Sequence, residues 1–567
     1  DYSFFKQLKF SGLASYSFTN NKSDNYKGKD TYAAFVDRLY FDTQGNSSRT
    51  YSSISQSNTN NSSYSLRGQL SYSDVYREIH RFSVLAGAEI RGEKAEGIFE
   101  KRYGYDPVTG NSAMPVPKDP GNGEGFKYSD LVSYANAMDQ LSGQEIEENR
   151  FASFYGALDY SLFDRYVLNV SFRTDGSNNF GSDEQFNPTW SAGAVWHVSE
   201  ETFMEFVRPV LSRLSLRVAT GYTGNINKTV KPNLMMKYYK NFRISDDENY
   251  RMGYINNAPN PKLRWEKTRD VKVALDFGLW KDRINGIVEA YWRKSKDCVT
   301  SEYVPVTTGF FNQSYNTSVL QNNGVEFSLS VAVLKSKDYN LSVSANVAWN
   351  QNKLKKYNSP NTSLALDKYV GYPMGAVFSG KYEGIDPETG MYKFKLRPDA
   401  VTNKDGYLRE PNNYYYYLGT SVAPFTGGFN LNFSYKNIGL SVGGSYSVKA
   451  KMVDNIESPA GYELLSGSKL ESIPTPHNDL YRNHLNVKRE VRNRWTPENR
   501  TGVKYPRLID AYGKKLGLDL TNPTLTTITR GALLEDISYL RINTIALSYS
   551  LPQRVLERIN FSSAALN

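Results

Sequence analysis

NRFASFYGALDYSLFDRYVLNVSFRTDGSNNFGSDEQFNPTWSAGAVWHV spans residues 149–198 and alternates in character over most of its length. Phe154, Leu158, Tyr160 and Leu162 share one phase, while Ser153, Asp159 and Ser161 hold the other. Asp164-Arg165 reads as a turn, after which Tyr166, Leu168, Val170 and Phe172 alternate with Asn169, Ser171 and Arg173. A polar loop, TDGSNNFGSDEQFNP, follows, and Trp190, Ala192, Ala194, Trp196 and Val198 resume the apolar phase. Successive strand residues face opposite sides of a sheet, so each strand has one greasy face and one wet face. Each is about the length that crosses a bilayer as a tilted β-strand. The greasy face must therefore meet either lipid or a second sheet.

Composition narrows the choice. Mean hydropathy is −0.56, and no apolar run approaches the roughly 20 residues a membrane helix needs. Barrel strands remain open, because alternation dilutes their hydropathy signal. The 43 Tyr, 28 Phe and 7 Trp suit the aromatic girdles of a barrel at its two membrane interfaces. Cys298 is the only cysteine, so no internal disulfide forms. The four histidines, His80, His197, His477 and His484, make no metal-spaced cluster. The net charge of +10 is spread along the chain, with no recognition motif and no basic helix face. That argues against a nucleic-acid partner and suits contact with anionic lipid headgroups. The chain opens at DYSFFKQLKF, already alternating and without an export signal, and stops inside an apparent strand, INFSSAALN. The expectation is a piece of something longer.

Taken in order, the alternation marks fifteen strands. The first covers residues 5–18, and later ones include 65–72, 82–90, 271–279, 284–292, 325–331, 341–347, 429–433 and 438–448. A strand over 540–551 slips phase near Asn543-Thr544, as a β-bulge would cause, and an incomplete strand begins near Arg558. Ser199 is placed to cap a short helix, and another helix-like piece lies near Leu131–Leu141. Connections alternate short and long. The short ones lie near 74–79, 164–165, 199–212, 281–282, 334–339, 436–437 and 552–557. Long ones lie near 19–63, 92–148, 175–188, 222–268, 295–322, 351–423 and 449–537. Phe163, Tyr166, Trp280, Tyr339 and Tyr435 flank the short turns. Tight inner turns, long outer loops and interfacial rings are what an outer-membrane barrel combines. A soluble sandwich has no reason to sort its loops to one end. The fold expected is all-β: a transmembrane antiparallel β-barrel, forming one domain over 1–567.

Several stretches make the reading specific. TDGSNNFG (174–181), Trp190-Ser191-Ala192-Gly193, SEETF (199–203), TGN (223–225), NPKLRWEKT (260–268) and NNGVEFSLS (322–330) occur in that order. GYPMGAVFSGKYEG (371–384), LGTSVAPFTGGFNLNFSYKN (418–437), RWTPENRTGVKYPR (494–507) and SYLRINTIALSYSLP (538–552) follow. Together they resemble the SusC-like branch of TonB-dependent outer-membrane transporters. The resemblance implies a 22-stranded barrel of a Gram-negative, Bacteroidetes-like outer membrane, with a plug that precedes it. About fifteen strands would be present here, with the plug, the first strands and the last strand outside the chain. It also implies energy from TonB, a SusD-like surface lipoprotein as a lid, a dimer of such pairs, and an oligosaccharide or peptide as cargo. No cofactor is implied.

The function expected is import of large nutrients, oligosaccharides first, with peptide or siderophore transport and a soluble glycan-binding adhesin as alternatives. No GxSxG, HExxH, CxxC or P-loop pattern occurs, and the pairs Glu147-Glu148 and Asp246-Asp247 lie in polar loops, so no catalytic or metal-binding residue is assigned. DPETG (386–390) lacks the repeated acidic ligands of a calcium loop and reads as a turn. The polar phase, including Asp159, Asn169, Arg173, Lys272, Asp276, Glu289, Glu326, Asn346, Asn430 and Asn432, should line the lumen. Its first role is hydrogen bonding to water and to whatever fills the barrel. Tyr103–Asp106 and Tyr414–Tyr417 carry sugar-stacking chemistry, though packing explains them as well, and no residue is assigned to ligand binding.

Overall fold

The computed structural model describes residues 2–31, 34, 41–43, 52–113, 115–117, 142–227, 230–238, 253–310, 312–357, 370–390, 392–400, 413–453, 492–506, 530–552 and 565–566. Sixteen strands form one antiparallel sheet in which each main strand pairs with its neighbours in sequence. They are β1 (Tyr2–Phe5), β2 (Leu8–Lys27), β3 (Ser53–Tyr76), β4 (His80–Tyr103), β5 (Ser142–Leu162), β6 (Tyr166–Ser177), β7 (Phe186–His197) and β8 (Leu211–Asn225). Then come β9 (Glu266–Leu279), β10 (Ile284–Tyr303), β11 (Asn312–Lys335), β12 (Tyr339–Lys356), β13 (Phe425–Tyr435), β14 (Ile438–Val453), β15 (Leu534–Ser550) and β16 (Ala565–Leu566). The sixteenth arises because residues 5–18 are not one strand. Tyr2 pairs with Phe10 and Phe5 with Leu8 across a turn at Lys6-Gln7, which an alternation count runs through.

The greasy phase is outward and uncovered. Leu275 on β9 faces Val288 on β10, which faces Phe327 on β11, which faces Val347 on β12. Phe154, Phe172, Trp190, Trp292 and Ile545 of this phase are all exposed. Leaving one such side chain in water forfeits roughly 1.5–3 kcal/mol. Among the described residues no second sheet packs on them; buried apolar side chains lie elsewhere, Leu263, Trp265 and Tyr505 in the loops and Ile54, Tyr103 and Leu354 near the outer ends of strands. Lipid is the medium this face requires. The polar phase lies on the concave side, where Asn285, Ser330, Ser344, Asn346 and Asn430 line a hollow of about 500 Å³.

The strands outrun their apolar pattern. β3 and β4 are each 24 residues long, against the roughly 9–11 that a bilayer needs. In their outer halves neither face meets lipid, so selection for alternation stops while the backbone ladder continues. Side chains take over there: Asn20 Nδ2 donates to Asn58 and Asn60 at 2.7 and 2.6 Å. The outer connections are accordingly shorter than 19–63 or 92–148. Those at 222–268 and 351–423 also carry small two-stranded sheets, Met235–Tyr238 with Gly253–Asn257 and Ala376–Gly380 with Tyr415–Thr420.

The inner turns are tight. Arg165 N–H closes on the Leu162 carbonyl at 3.0 Å, with Phe163 and Asp164 at φ 54° and 53°, so the turn centres one residue before Asp164-Arg165. Phe163 and Trp280 are more than half exposed at these turns, and the Tyr339 and Tyr435 rings stack at 4.9 Å. Amphipathic rings at this level belong at a membrane interface. The expected helix capped by Ser199 is instead two 3₁₀ turns, Val198–Glu200 and Thr202–Val207, neither with a side-chain cap. Glu201 is extended between them because its carboxylate is engaged by Tyr166 Oη (2.5 Å), Trp196 Nε1 (3.0 Å) and Arg165 Nη1 (3.4 Å). The bulge expected in β15 is present: Thr544 pairs with Gly443 and Ile542 with Gly444, leaving Asn543 as the extra residue. Gly444 must be glycine for the Phe429 ring, since a Cβ would sit 2.4 Å from Phe429 Cζ. The helix-like piece near Leu131–Leu141 and the start of the strand near Arg558 lie outside the described residues.

Candidate functional site

The polar side chains named from the alternation come together in pairs on the wall. Asn169 donates to Asp159, and Arg173 Nε reaches Asp175 at 2.8 Å while its Nη2 donates to Ser153 at 2.9 Å. Arg217 Nε meets Asp276 at 2.7 Å, and Lys272 Nζ meets Glu289 at 3.1 Å. Glu326 sits directly opposite Glu289, a like-charge pair that Lys272 offsets from the neighbouring strand. Asn346 Oδ1 accepts from the Gly428 amide at 2.8 Å, and Asn432 accepts from Ser441 at 2.9 Å. Asn430 lines the hollow. Partly solvated pairs like these contribute at most about 1 kcal/mol each, so their main effect is to neutralise the wall locally.

The outer rim holds a network that no local sequence signal announces. Asn179, only 2% exposed, donates to Asn149 Oδ1 at 2.8 Å and accepts from Lys231 Nζ at 2.8 Å. Lys231 also meets Glu147 at 3.3 Å, so that carboxylate is paired rather than free in solvent. Beside them Phe180 stacks on Trp265 at 4.7 Å, and Gly181 N–H donates to the Leu263 carbonyl at 2.9 Å. TDGSNNFG and NPKLRWEKT are therefore the two halves of one clamp between outer loops. RWTPEN docks similarly: Trp495 Nε1 donates to the Pro387 carbonyl at 3.0 Å.

Asp106-Pro-Val-Thr-Gly and Asp386-Pro-Glu-Thr-Gly form the same turn, with Gly110 and Gly390 N–H each donating to the aspartate carbonyl at 2.8 Å. In the second, the Thr389 and Glu388 amides hold the Asp386 carboxyl below the usual carboxylate range. A depressed folded pKa means that its support is fully present above the unfolded value of about 3.9 and is lost as pH falls through the folded value. Amide exchange at Glu388 and Thr389 should accordingly quicken relative to neighbouring turns on acidification from pH 5 to pH 2. A profile that Asp386→Asn leaves unaltered would disprove this.

The two tyrosine runs divide. Tyr103 is buried, with Lys101 over its ring, and Arg102 covers Tyr105, so packing accounts for the first run. In the second, Tyr415 is buried and Tyr416 donates to the Leu396 carbonyl at 2.8 Å. Tyr417 is exposed and lines a cleft of about 530 Å³ with Trp349 and Tyr372. His477, His484 and Asp246-Asp247 lie outside the described residues.

Comparison with known proteins agrees with this architecture. The family model described as TonB dependent receptor-like, beta-barrel matches residues 2–466. TonB-dependent receptor P26 of Formosa agariphila is 25% identical over 94% of this chain and 50% of its own length. TonB-dependent receptor SusC of Bacteroides thetaiotaomicron is 31% identical over 51% of this chain and 26% of its own. In solved structures, the RagAB peptide transporter superposes with a TM-score of 0.71 at 23% identity, covering 98% of this chain and 55% of that one. The chain thus spans about half the length of P26. With its greasy outer phase, polar concave phase and clamped outer loops, the chain belongs to the TonB dependent receptor-like β-barrel family of the outer membrane.

Proposed function

We propose that this chain forms the barrel wall of an outer-membrane importer of large nutrients, oligosaccharides first, energised through TonB and acting with a SusD-like surface lipoprotein. The observation that carries the reading is the division of one continuous sheet into an uncovered apolar face and a concave polar face of paired charges, amides and hydroxyls. Such a wall encloses an aqueous lumen across lipid. The clamped outer loops offer a firm platform for a lid, and two transporter–lipoprotein pairs would associate as a dimer. Support for the lipoprotein and for glycan cargo comes from the SusC-like motifs of the sequence, from TDGSNNFG (174–181) to RWTPENRTGVKYPR (494–507). The likeness to the RagAB peptide transporter supports peptide cargo as the second reading.

Two measurements test the proposal. The protein as its cells make it should migrate faster unheated than boiled in a denaturing gel, and should co-purify from mild detergent with a surface lipoprotein. Absence of a mobility shift together with absence from the membrane fraction would refute the barrel importer. A barrel that repeatedly purifies without any lipoprotein would remove the lid and leave the rest standing.

A further inference from the structure

The outward phase of the wall turns from apolar to basic at one level. On β9 it runs outward through Leu275, Val273 and Val271 to Arg269 and Lys267, and on β10 through Val288, Ala290 and Trp292 to Lys294 and Lys296. On β12 it passes from Val347 and Trp349 through Gln351 to Lys353. Strand register sets Arg269, Lys294, Gln321 and Lys353 side by side in one row across β9 to β12. Lys267 stands directly opposite Lys296 in the next outward row. Arg269, Lys294 and Lys296 are exposed, and Lys267 and Lys353 are half-buried.

Like charges directly opposite each other destabilise a sheet, and here two such pairs, Arg269 with Lys294 and Lys267 with Lys296, are stacked. The carboxylates of the same strands do not relieve them. Asp270 faces the lumen, where Arg293 holds it at 2.8 Å, and Glu266 accepts from Asn225 and from the Val299 amide. Asp297, next to Lys296 in the chain, is taken by Arg264 at 2.9 Å. Among the described residues none of the five cations has a carboxylate partner. The outward phase of β4 and β5 shows the alternative: Lys94 pairs with Glu96, and Arg150 with Glu148 at 2.7 Å. The wall neutralises its outward charges there and leaves them open on β9 to β12.

The basic row lies at the outer border of the bilayer. Trp292 and Trp349 sit on the outward phase just inside it, and the Trp190 and Tyr222 rings, 5.8 Å apart, continue this girdle on β7 and β8. From Ile284 at the inner turn to Trp292, β10 has about the length that a tilted strand needs to cross the bilayer. We propose that this row seats a phosphate-bearing glycolipid of the outer leaflet, its phosphate across Arg269 and Lys294 and its acyl chains along Val271, Trp292 and Trp349. The phosphate brings the negative charge that the stacked pairs lack, and guanidinium and ammonium groups bind it by charge-assisted hydrogen bonds. Lysine stems lie along the apolar surface while their heads reach the headgroups. A second copy presenting the same row would be repelled by it, and free phosphate has no use for the apolar surface below. The seat depends on the lipid-facing wall and on no particular cargo.

The test uses the full-length protein as its cells make it, placed in phosphatidylcholine nanodiscs that contain either lipid A or dephosphorylated lipid A. Lipid retained on the released protein is counted by native mass spectrometry. The unaltered protein should retain lipid A about tenfold better than the dephosphorylated form, and this comparison requires no variant to fold. Arg269→Gln with Lys294→Gln should lower the retention of lipid A about tenfold. Arg269→Lys with Lys294→Arg should preserve it, and Lys94→Gln with Arg150→Gln should leave it unchanged. Each variant is checked for a normal heat-modifiable band. Equal retention of the two lipids by the unaltered protein overturns the seat, as does full retention by the glutamine pair. Displacement of lipid A by inorganic phosphate alone would reduce the row to an anion site and overturn the lipid assignment. Crosslinks from Lys294→Cys that trap a second copy would put a protein there instead and overturn it equally. Uptake is not measured, so these results leave the importer reading untouched; loss of the heat-modifiable band from the unaltered protein sinks the barrel and the seat together.

Discussion

An arginine in place of Val288 is expected to destabilise the barrel by about 2–4 kcal/mol, the cost of a cation near the bilayer midplane. Val288 lies on the apolar phase of β10, between Leu275 and Phe327 in register, and some distance from the inner turn at Trp280. Its neighbours offer no oxygen to accept five guanidinium donors. The same substitution at Ser328, on the polar phase and opposite Ile287 and Asn346, places the guanidinium in the lumen and should cost under about 1 kcal/mol. At Phe163, within the inner turn, an arginine reaches headgroups, and the cost should again be roughly 0–1 kcal/mol. Urea unfolding in lipid vesicles, read by the heat-modifiable gel shift, ranks the three. Equal costs at Val288 and Phe163 would contradict a lipid-facing wall, because a protein-buried face has no such dependence on depth.

Gly181→Val should separate the clamp between outer loops while leaving the wall assembled. A Cβ at Gly181 would lie 1.8 Å from the Pro261 carbonyl oxygen, so the backbone must move rather than a side chain. The movement breaks the Gly181-to-Leu263 hydrogen bond and unseats Asn179 from Asn149 and Lys231. Overpacking of this kind costs typically about 1–3 kcal/mol, and unpairing the buried amide adds a similar amount. The expected result is protease cleavage within 175–188 and 222–268 on intact cells, with an unchanged heat-modifiable band. Continued protection of both loops would show that the clamp does not hold them.

Pattern and packing contributed unequally. Alternation in 149–198 was legible because each membrane-crossing strand must present apolar atoms to lipid and polar atoms to the lumen, residue by residue. The phase slip in β15 announced its bulge for the same reason. Where that pressure ends, so does the signal: β3 and β4 continue well into polar sequence that reads as loop. Tyr2–Phe5 is not legible as a separate strand because Phe4 and Phe5 stand side by side and blur the turn at Lys6-Gln7. At Ser199 a good capping residue was overridden, since three donors converging on Glu201 outweigh one cap.

Alternation, loop sorting and turn aromatics, all local properties of the chain, were sufficient for a lipid-facing antiparallel wall and for its polar inner phase. The pairing of Lys231 with Asn179, the docking of Trp495 on Pro387 and the separation of Tyr417 from Tyr415 depended on the tertiary structure. Those contacts join residues far apart in sequence, through loops whose composition is polar everywhere. No period distinguishes a buried tyrosine from one exposed at a cleft; only the docking of the Tyr372 and Pro424 segments on β12 beyond Phe425 does.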